Sequence, residues 1–259
     1  MVLLVQPNNT GTISDDPEVH EKDAWWTTFG RHRLAEHLGV VLLVPGFIRP
    51  ADDWRVYTHA LDRDVFTTAR PELHRPDLQL IRMIEDLRER VGSRELVLHD
   101  RFLLQGYSAS GMFVNRFAVL HPELVLGVAA GSPGGWPIIP LAEHNGETLN
   151  YPAGIADLAE LAGSPFDLAA YREVPQLLVM GSDDENDSLD YSDGWDEEHS
   201  AVVDRLFGTS PLARWDSARR AYSMAGARAE FLLVKGVGHD RRALQEHSTT
   251  FFEHLLGLN

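Results

Sequence analysis

The chain has 259 residues, 44% of them hydrophobic, enough to bury one sizeable core in a single domain spanning residues 1–259. With 39 acidic against 23 basic residues its net charge is −16, and such a surface repels phosphate backbones and anionic membranes, which argues against a nucleic-acid partner. It has no cysteine, which removes disulfides, thiolate nucleophiles and cysteine-ligated metals and points to a cytoplasmic location.

Residues 2–6 read as a strand, because this N-terminal run is too short for a signal peptide and lacks its basic start and small-residue cleavage site. A helix is expected over 20–38, with Trp25 and Trp26 packed into the core, and a strand over 40–44. Leu80, Ile81, Ile84 and Leu87 recur at helical spacing and mark a helix over 77–91. A strand over 101–106, a helix over 110–120 and a strand over 124–130 follow. After a long irregular stretch come a strand over 176–180, a helical region over 197–225, a strand over 230–234 and a final helix over 241–256. Strands separated by helices imply an α/β fold, a mostly parallel sheet with helices on both faces. No apolar run approaches the roughly 20 residues that a bilayer span requires.

Chemistry concentrates at three strand ends. Around Ser108 an apolar strand breaks into Gly106, Tyr107, Ser108, Ala109, Ser110 and Gly111, and a helical pattern begins at once. A nucleophile elbow reads this way: the turn is so sharp that the neighbours two positions either side must be small, as Gly106 and Ser110 are. The commoner pattern has glycine where Ser110 stands. The strand over 176–180 runs into Gly181, Ser182, Asp183 and Asp184, and the strand over 230–234 runs into Gly236, Val237, Gly238 and His239. Nucleophile, acid and base thus occur in the order Ser, Asp, His, each past the C-terminal end of a strand, where open α/β sheets carry their sites.

In these motifs the chain resembles the alpha/beta-hydrolases, most of all their esterase and depolymerase-like branches, over essentially its whole length. The resemblance implies Ser108 as nucleophile, His239 as base and Asp184, three residues after the strand-ending glycine, as the acid; Asp187 is the reserve. It implies an oxyanion hole with the N–H of Ala109 as first donor and that of Asn9 or Asn8 as second, with Phe47 as an alternative. It also implies that the family's two leading antiparallel strands are missing, and that residues 134–175 and about 185–215 are lid or cap insertions. Tyr107 and Trp136 are the expected substrate contacts.

The mechanism so implied is a carboxylic-ester hydrolase working through an acyl-enzyme on a small ester or acyl substrate, with no metal and no cofactor. A peptidase or amidase with the same three groups, and a non-catalytic binding protein of the same fold, are the alternatives. Twelve histidines include no His-Glu-x-x-His pair for a metal. The nine carboxylates of residues 183–198 lack the spacing of a calcium-binding EF-hand loop and read as a solvated acidic segment.

Overall fold

The computed structural model describes residues 1–8, 11–93, 95–191 and 194–258. Strand β1 (Leu3–Val5) is wholly buried. Helix α1 (Pro17–Leu38) starts three residues ahead of the expected position because Asp16 caps it, accepting the Glu18 N–H, while Pro17 suits a first turn that has no use for a donor. It stops at Gly39, whose left-handed backbone returns N–H bonds to the last turn. Strand β2 (Val41–Leu43) follows, then a stretch of turns and helix α2 (Pro76–Gly92). Strand β3 (Phe102–Tyr107), helix α3 (Ala109–Leu120) and strand β4 (Val125–Gly131) form the centre.

The expected irregular stretch holds a two-residue hairpin, β5 (Glu143–His144) with β6 (Glu147–Thr148), and the short helices α4 (Leu158–Ala162) and α5 (Leu168–Glu173). Strand β7 (Gln176–Gly181) comes next. The helical region after it is two helices, α6 (Glu197–Phe207) and α7 (Pro211–Ala225). They part at Gly208, and Ser210 caps the second by accepting the Ala213 N–H. Strand β8 (Ala229–Val234) and helix α8 (Arg241–Leu256) complete the chain.

Six strands form one parallel sheet in the order β2-β1-β3-β4-β7-β8. One face buries Leu4, Leu103, Ala129 and Val179 under α1 and α8 through Ala35, Leu38, Leu244 and Phe252. The other buries Val5, Leu104, Val128 and Leu178 under α2, α3 and α7 through Leu80, Phe117 and Tyr222. Helix α3 is buried from Ala109 to Val119, so even its polar residues need partners. The buried Arg116 guanidinium donates to the carbonyls of Ala60, Leu61 and Gly194, and Asn115 joins Tyr222 and the Ile138 N–H.

Two expectations need correction. Trp25 and Trp26 are not core residues: they are 56% and 54% exposed, because α1 buries only His20, Ala24, Ala35 and Leu38. Trp136, expected at the substrate, is 1% exposed, stacks on Phe207 and donates its indole N–H to the Ala153 carbonyl, so it is a packing residue of the 134–175 segment. No described helix is long and apolar enough to cross a membrane.

Candidate active site

Ser108 sits between β3 and α3 at φ 58°, ψ −123°, a backbone conformation that residues with a Cβ rarely adopt. The turn is pinned on both sides: the Ser108 N–H donates to Gly131 O at 2.9 Å, and Ser108 O accepts the Met112 N–H at 2.9 Å. Gly106 is required by contact, since a Cβ there would lie 2.0 Å from Ser110 O. Ser110 has a structural task of its own. Its hydroxyl accepts the Tyr107 N–H at 2.9 Å and donates to Tyr107 O at 3.0 Å, closing the elbow with a side chain where the common pattern leaves glycine.

The loops after β7 and β8 are stitched together. Asp183 N–H donates to Val237 O at 2.9 Å and Gly236 N–H to the Ser182 hydroxyl at 2.8 Å, while a Cβ at Gly181 would stand 2.0 Å from Val237 O. This close approach brings Asp184 and His239 together: His239 Nδ1 is 3.0 and 3.1 Å from the two carboxylate oxygens. Burial alone would raise the Asp184 pKa, but hydrogen bonds from His239, Ser132 and the Asn186 N–H outweigh it and hold the carboxyl below its ordinary value. The Asp184 side chain is 1% exposed and that of His239 26%, so the acid is enclosed while the imidazole faces outward. Asp240, next in sequence, caps α8 through the N–H groups of Arg242 and Ala243 and fixes where the histidine leaves the loop.

His239 stands beside the elbow. Its ring centroid is 4.7 Å from that of Tyr107, the residue preceding Ser108. No hydrogen bond joins Ser108 and His239 among the described residues; such contacts commonly tighten only when substrate arrives. Asp187, the reserve acid, is committed elsewhere, in a buried pair with Arg214 at 2.6 Å. Ser132, which the sequence did not single out, directly follows β4 and has a buried hydroxyl near Tyr107 and Asp184. Its only signal was its position directly after the strand-ending Gly131.

Ala109 begins α3 immediately after Ser108, with its N–H free of the helix ladder. Asn8 follows β1 and is fully buried; its side-chain amide donates to Phe47 O at 3.2 Å and accepts the Phe47 N–H at 3.3 Å. The alternative donor Phe47 therefore turns its N–H toward Asn8. Asn9 lies outside the described residues. Behind this loop His59 donates from Nε2 to Phe47 O at 2.7 Å, and burial lowers its pKa to about 4, which keeps it neutral.

A cleft of about 510 Å³ is walled by Trp54, Tyr191 and Trp195 together with the charged Arg55, Asp62, Arg63, Asp64, Asp196 and Glu197. Gly194 on its edge packs against Tyr57, Ala60 and the Met112 methyl, one turn into α3 from Ser108. Among the described residues no group of acidic and histidine side chains has the arrangement to hold a metal ion.

The fold that carries these residues, a parallel six-stranded sheet with helices on both faces, recurs in solved structures. Poly(aspartic acid) hydrolase-1 from Sphingomonas sp. KT-1 superposes with a TM-score of 0.64 at 18% identity, over 96% of this chain and 86% of that one. The chain has the alpha/beta-hydrolase fold. LpqC, a poly(3-hydroxybutyrate) depolymerase from Bordetella parapertussis, shares this hydrolase fold with a TM-score of 0.58 at 20% identity, over 97% and 79% of the two chains. The fluorophosphonate-binding serine hydrolase FphF of Staphylococcus aureus matches with 0.51 at 10% identity, over 98% and 83%. By sequence, the chain matches no protein-family model and no curated protein. Among the described residues the six strands of this sheet are all parallel.

Proposed function

We propose that the protein is a serine hydrolase that cleaves carboxylic esters through an acyl-enzyme. One observation carries this reading: an Asp184–His239 pair, with bonds of 3.0 and 3.1 Å, beside a serine held at φ 58° on a strand-to-helix turn. An unassisted hydroxyl is a poor nucleophile at neutral pH, so His239 takes the Ser108 proton as Oγ attacks the carbonyl carbon and returns it to the departing alkoxide. Asp184 fixes the imidazole through Nδ1, leaving Nε2 for the serine, and stabilises the cation that forms. The tetrahedral oxyanion rests on the Ala109 N–H and on a second N–H from the loop of Asn8 and Asn9, each donor contributing roughly 3 kcal/mol to the transition state. Water then attacks the acyl-enzyme by the same route in reverse. No step calls for a metal or cofactor.

The cleft near Met112 offers Trp54, Tyr191 and Trp195 to an acyl or aryl part of the substrate, among six charged side chains that favour one with polar substituents. A cysteine-free, strongly acidic chain suits cytoplasmic work on small molecules. Labelling with a fluorophosphonate probe, alongside hydrolysis of short p-nitrophenyl esters, tests the reading in wild type and Ser108→Ala. Both signals vanish together in the variant if Ser108 is the nucleophile. A folded wild type that neither labels nor turns over any ester refutes it.

A further inference from the structure

On the sheet face opposite α3, a cavity of about 470 Å³ opens between α1 and α8. Arg31 of α1 and Arg241 and Arg242 of the first turn of α8 line it, with Trp26 on its flank and Asp23 as its one acidic residue. In a chain whose acids outnumber its bases 39 to 23, arginines readily find carboxylates, and Arg63, Arg75, Arg205 and Arg214 do so. Arg31, Arg241 and Arg242 belong to no ion pair among the described residues; Arg31 bonds only the neutral side chain of Gln245. Burial, reinforced by the charge of Arg241, lowers the Arg31 pKa to about 10. Three guanidiniums thus face one carboxylate, Asp23, around the cavity, an excess of positive charge that an incoming anion relieves.

The cavity has an inner end. Arg31, Arg241 and Gln245 also border a pit of about 10 Å³, room for about one water-sized group, whose far wall is Gln6, Gln105 and Tyr107. Gln6 and Gln105 are each 5% exposed, and the Oε1 atom of each is buried with no hydrogen-bond partner. Buried amides are ordinarily bonded, and an amide end can present either N–H or C=O. Two buried amides, each with one unbonded end, and three guanidiniums outside any ion pair among the described residues make a built polar site.

We propose that this cavity binds a small molecule carrying an oxyanion, a carboxylate or a phosphate, with the guanidiniums of Arg31, Arg241 and Arg242 around the charge, Gln6 and Gln105 at the innermost oxygen, and Trp26 against any planar remainder. Guanidinium forks match both oxyanions bidentately. The site is separate from the serine, which borders neither the cavity nor the pit. It nonetheless adjoins three segments of the candidate active site: Gln6 precedes Asn8 by two residues, Gln105 precedes Ser108 by three, and Arg241 follows His239 by two. An occupant therefore acts as an effector of the hydrolytic site rather than as its substrate.

Calorimetric titration of the full chain with inorganic phosphate and with benzoate tests this. Saturable one-to-one binding of at least one probe is expected, equal in wild type and Ser108→Ala and weakened tenfold or more by Arg31→Gln and by Arg241→Gln. The exposed Arg205→Gln leaves it unchanged. Benzoate favoured over phosphate, with the preference lost in Trp26→Ala, assigns an aryl carboxylate; phosphate favoured assigns a phosphorylated ligand. If Arg31→Gln does not fold, Arg242→Gln on the exposed rim takes its place. No saturable binding of either probe, or affinity unchanged in a folded Arg241→Gln/Arg242→Gln double variant, overturns the proposal. So does binding that disappears once a fluorophosphonate occupies Ser108. Because the readout is binding, an inert Ser108 leaves this test intact.

Discussion

Replacing Ser108 by glycine should stabilise the protein relative to replacing it by alanine, although both changes remove the hydroxyl. Alanine keeps the Cβ and with it the conflict at φ 58°, ψ −123°, a strain of about 1–3 kcal/mol. Glycine releases that strain but makes the unfolded chain more flexible, which costs about 0.4–1 kcal/mol. The balance favours Ser108→Gly by up to about 2.6 kcal/mol, and by about 1.3 kcal/mol at the middle of both ranges. Unfolding entropy of about 2.1 cal/mol/K per residue over 259 residues is about 0.5 kcal/mol/K, so the glycine variant should melt about 2–3 °C, and at most about 5 °C, above the alanine variant. Differential scanning calorimetry of the two proteins in one buffer measures this, and ester hydrolysis confirms that both are inactive. Ser110→Gly provides the contrast: it removes both hydrogen bonds to Tyr107 and places glycine in a helix, and it should lower Tm. A Ser108→Gly melting point at or below that of Ser108→Ala would show that the elbow stores no strain, and would remove the backbone argument for Ser108 as nucleophile.

Asp184→Asn should reduce kcat by roughly 10³–10⁴-fold by upsetting the imidazole tautomer. Asp187→Asn should leave kcat within a few fold while costing about 1.5–3 kcal/mol of stability in urea melts, because the buried Arg214 loses one of its two carboxylates and keeps Asp204 and the Gly208 carbonyl. Gly181→Ala should lower both Tm and turnover, since its Cβ would displace the loop that carries His239. Burial raises the Asp62 carboxyl to about 7, against an ordinary value near 3.8. A raised acid pKa makes the folded state the better proton binder, so its stabilising contribution is complete below about pH 4 and lost as pH rises through 7, a change of up to about 4 kcal/mol. Asp62→Asn should flatten that decline in urea titrations from pH 4 to 8; an unchanged slope would count against the shift. Asp77 has the opposite sign. Burial opposes its charge, but His121 and Arg75 override this and lower it to about 2, so its contribution holds above pH 4 and is lost as pH falls through 2.

The strands were legible because parallel strands buried on both faces must be short apolar runs, and the turn residues after them had to be small for reasons of contact: Gly106 against Ser110 O and Gly181 against Val237 O. The Asp184–His239 pairing followed from the same strand ends. Selecting Asp184 over Asp187 rested on family spacing; the physical reason, the demand of buried Arg214 for a carboxylate, lies in a contact 27 residues away. Trp25 and Trp26 were misread because large aromatics usually sit inside, whereas α1 turns its small residues Ala24 and Ala35 to the sheet and lets that side approach closely. Trp136 was misread because aromatic content in a cap does not distinguish a wall of the pocket from the packing beneath it. The break between α6 and α7 had a readable signature, Gly208 followed by the Ser210–Pro211 start, which a single helical span passed over.

Arg116 holds the carbonyls of Ala60, Leu61 and Gly194 from inside α3, so two loops bordering the aromatic cleft hang from the helix that Ser108 begins. Anyone wishing to retune the substrate range inherits that construction. Widening the opening at Gly194 would pull a carbonyl off a buried guanidinium and loosen the nucleophile with it, so selectivity and reactivity would deteriorate together. Trp54 and Tyr191, on the outer wall and 40% and 67% exposed, can be exchanged without touching that anchor. A mutagenesis library confined to those two positions should yield altered acyl preference at undiminished serine reactivity, whereas one centred on Arg116 or Gly194 should yield mostly inactive protein.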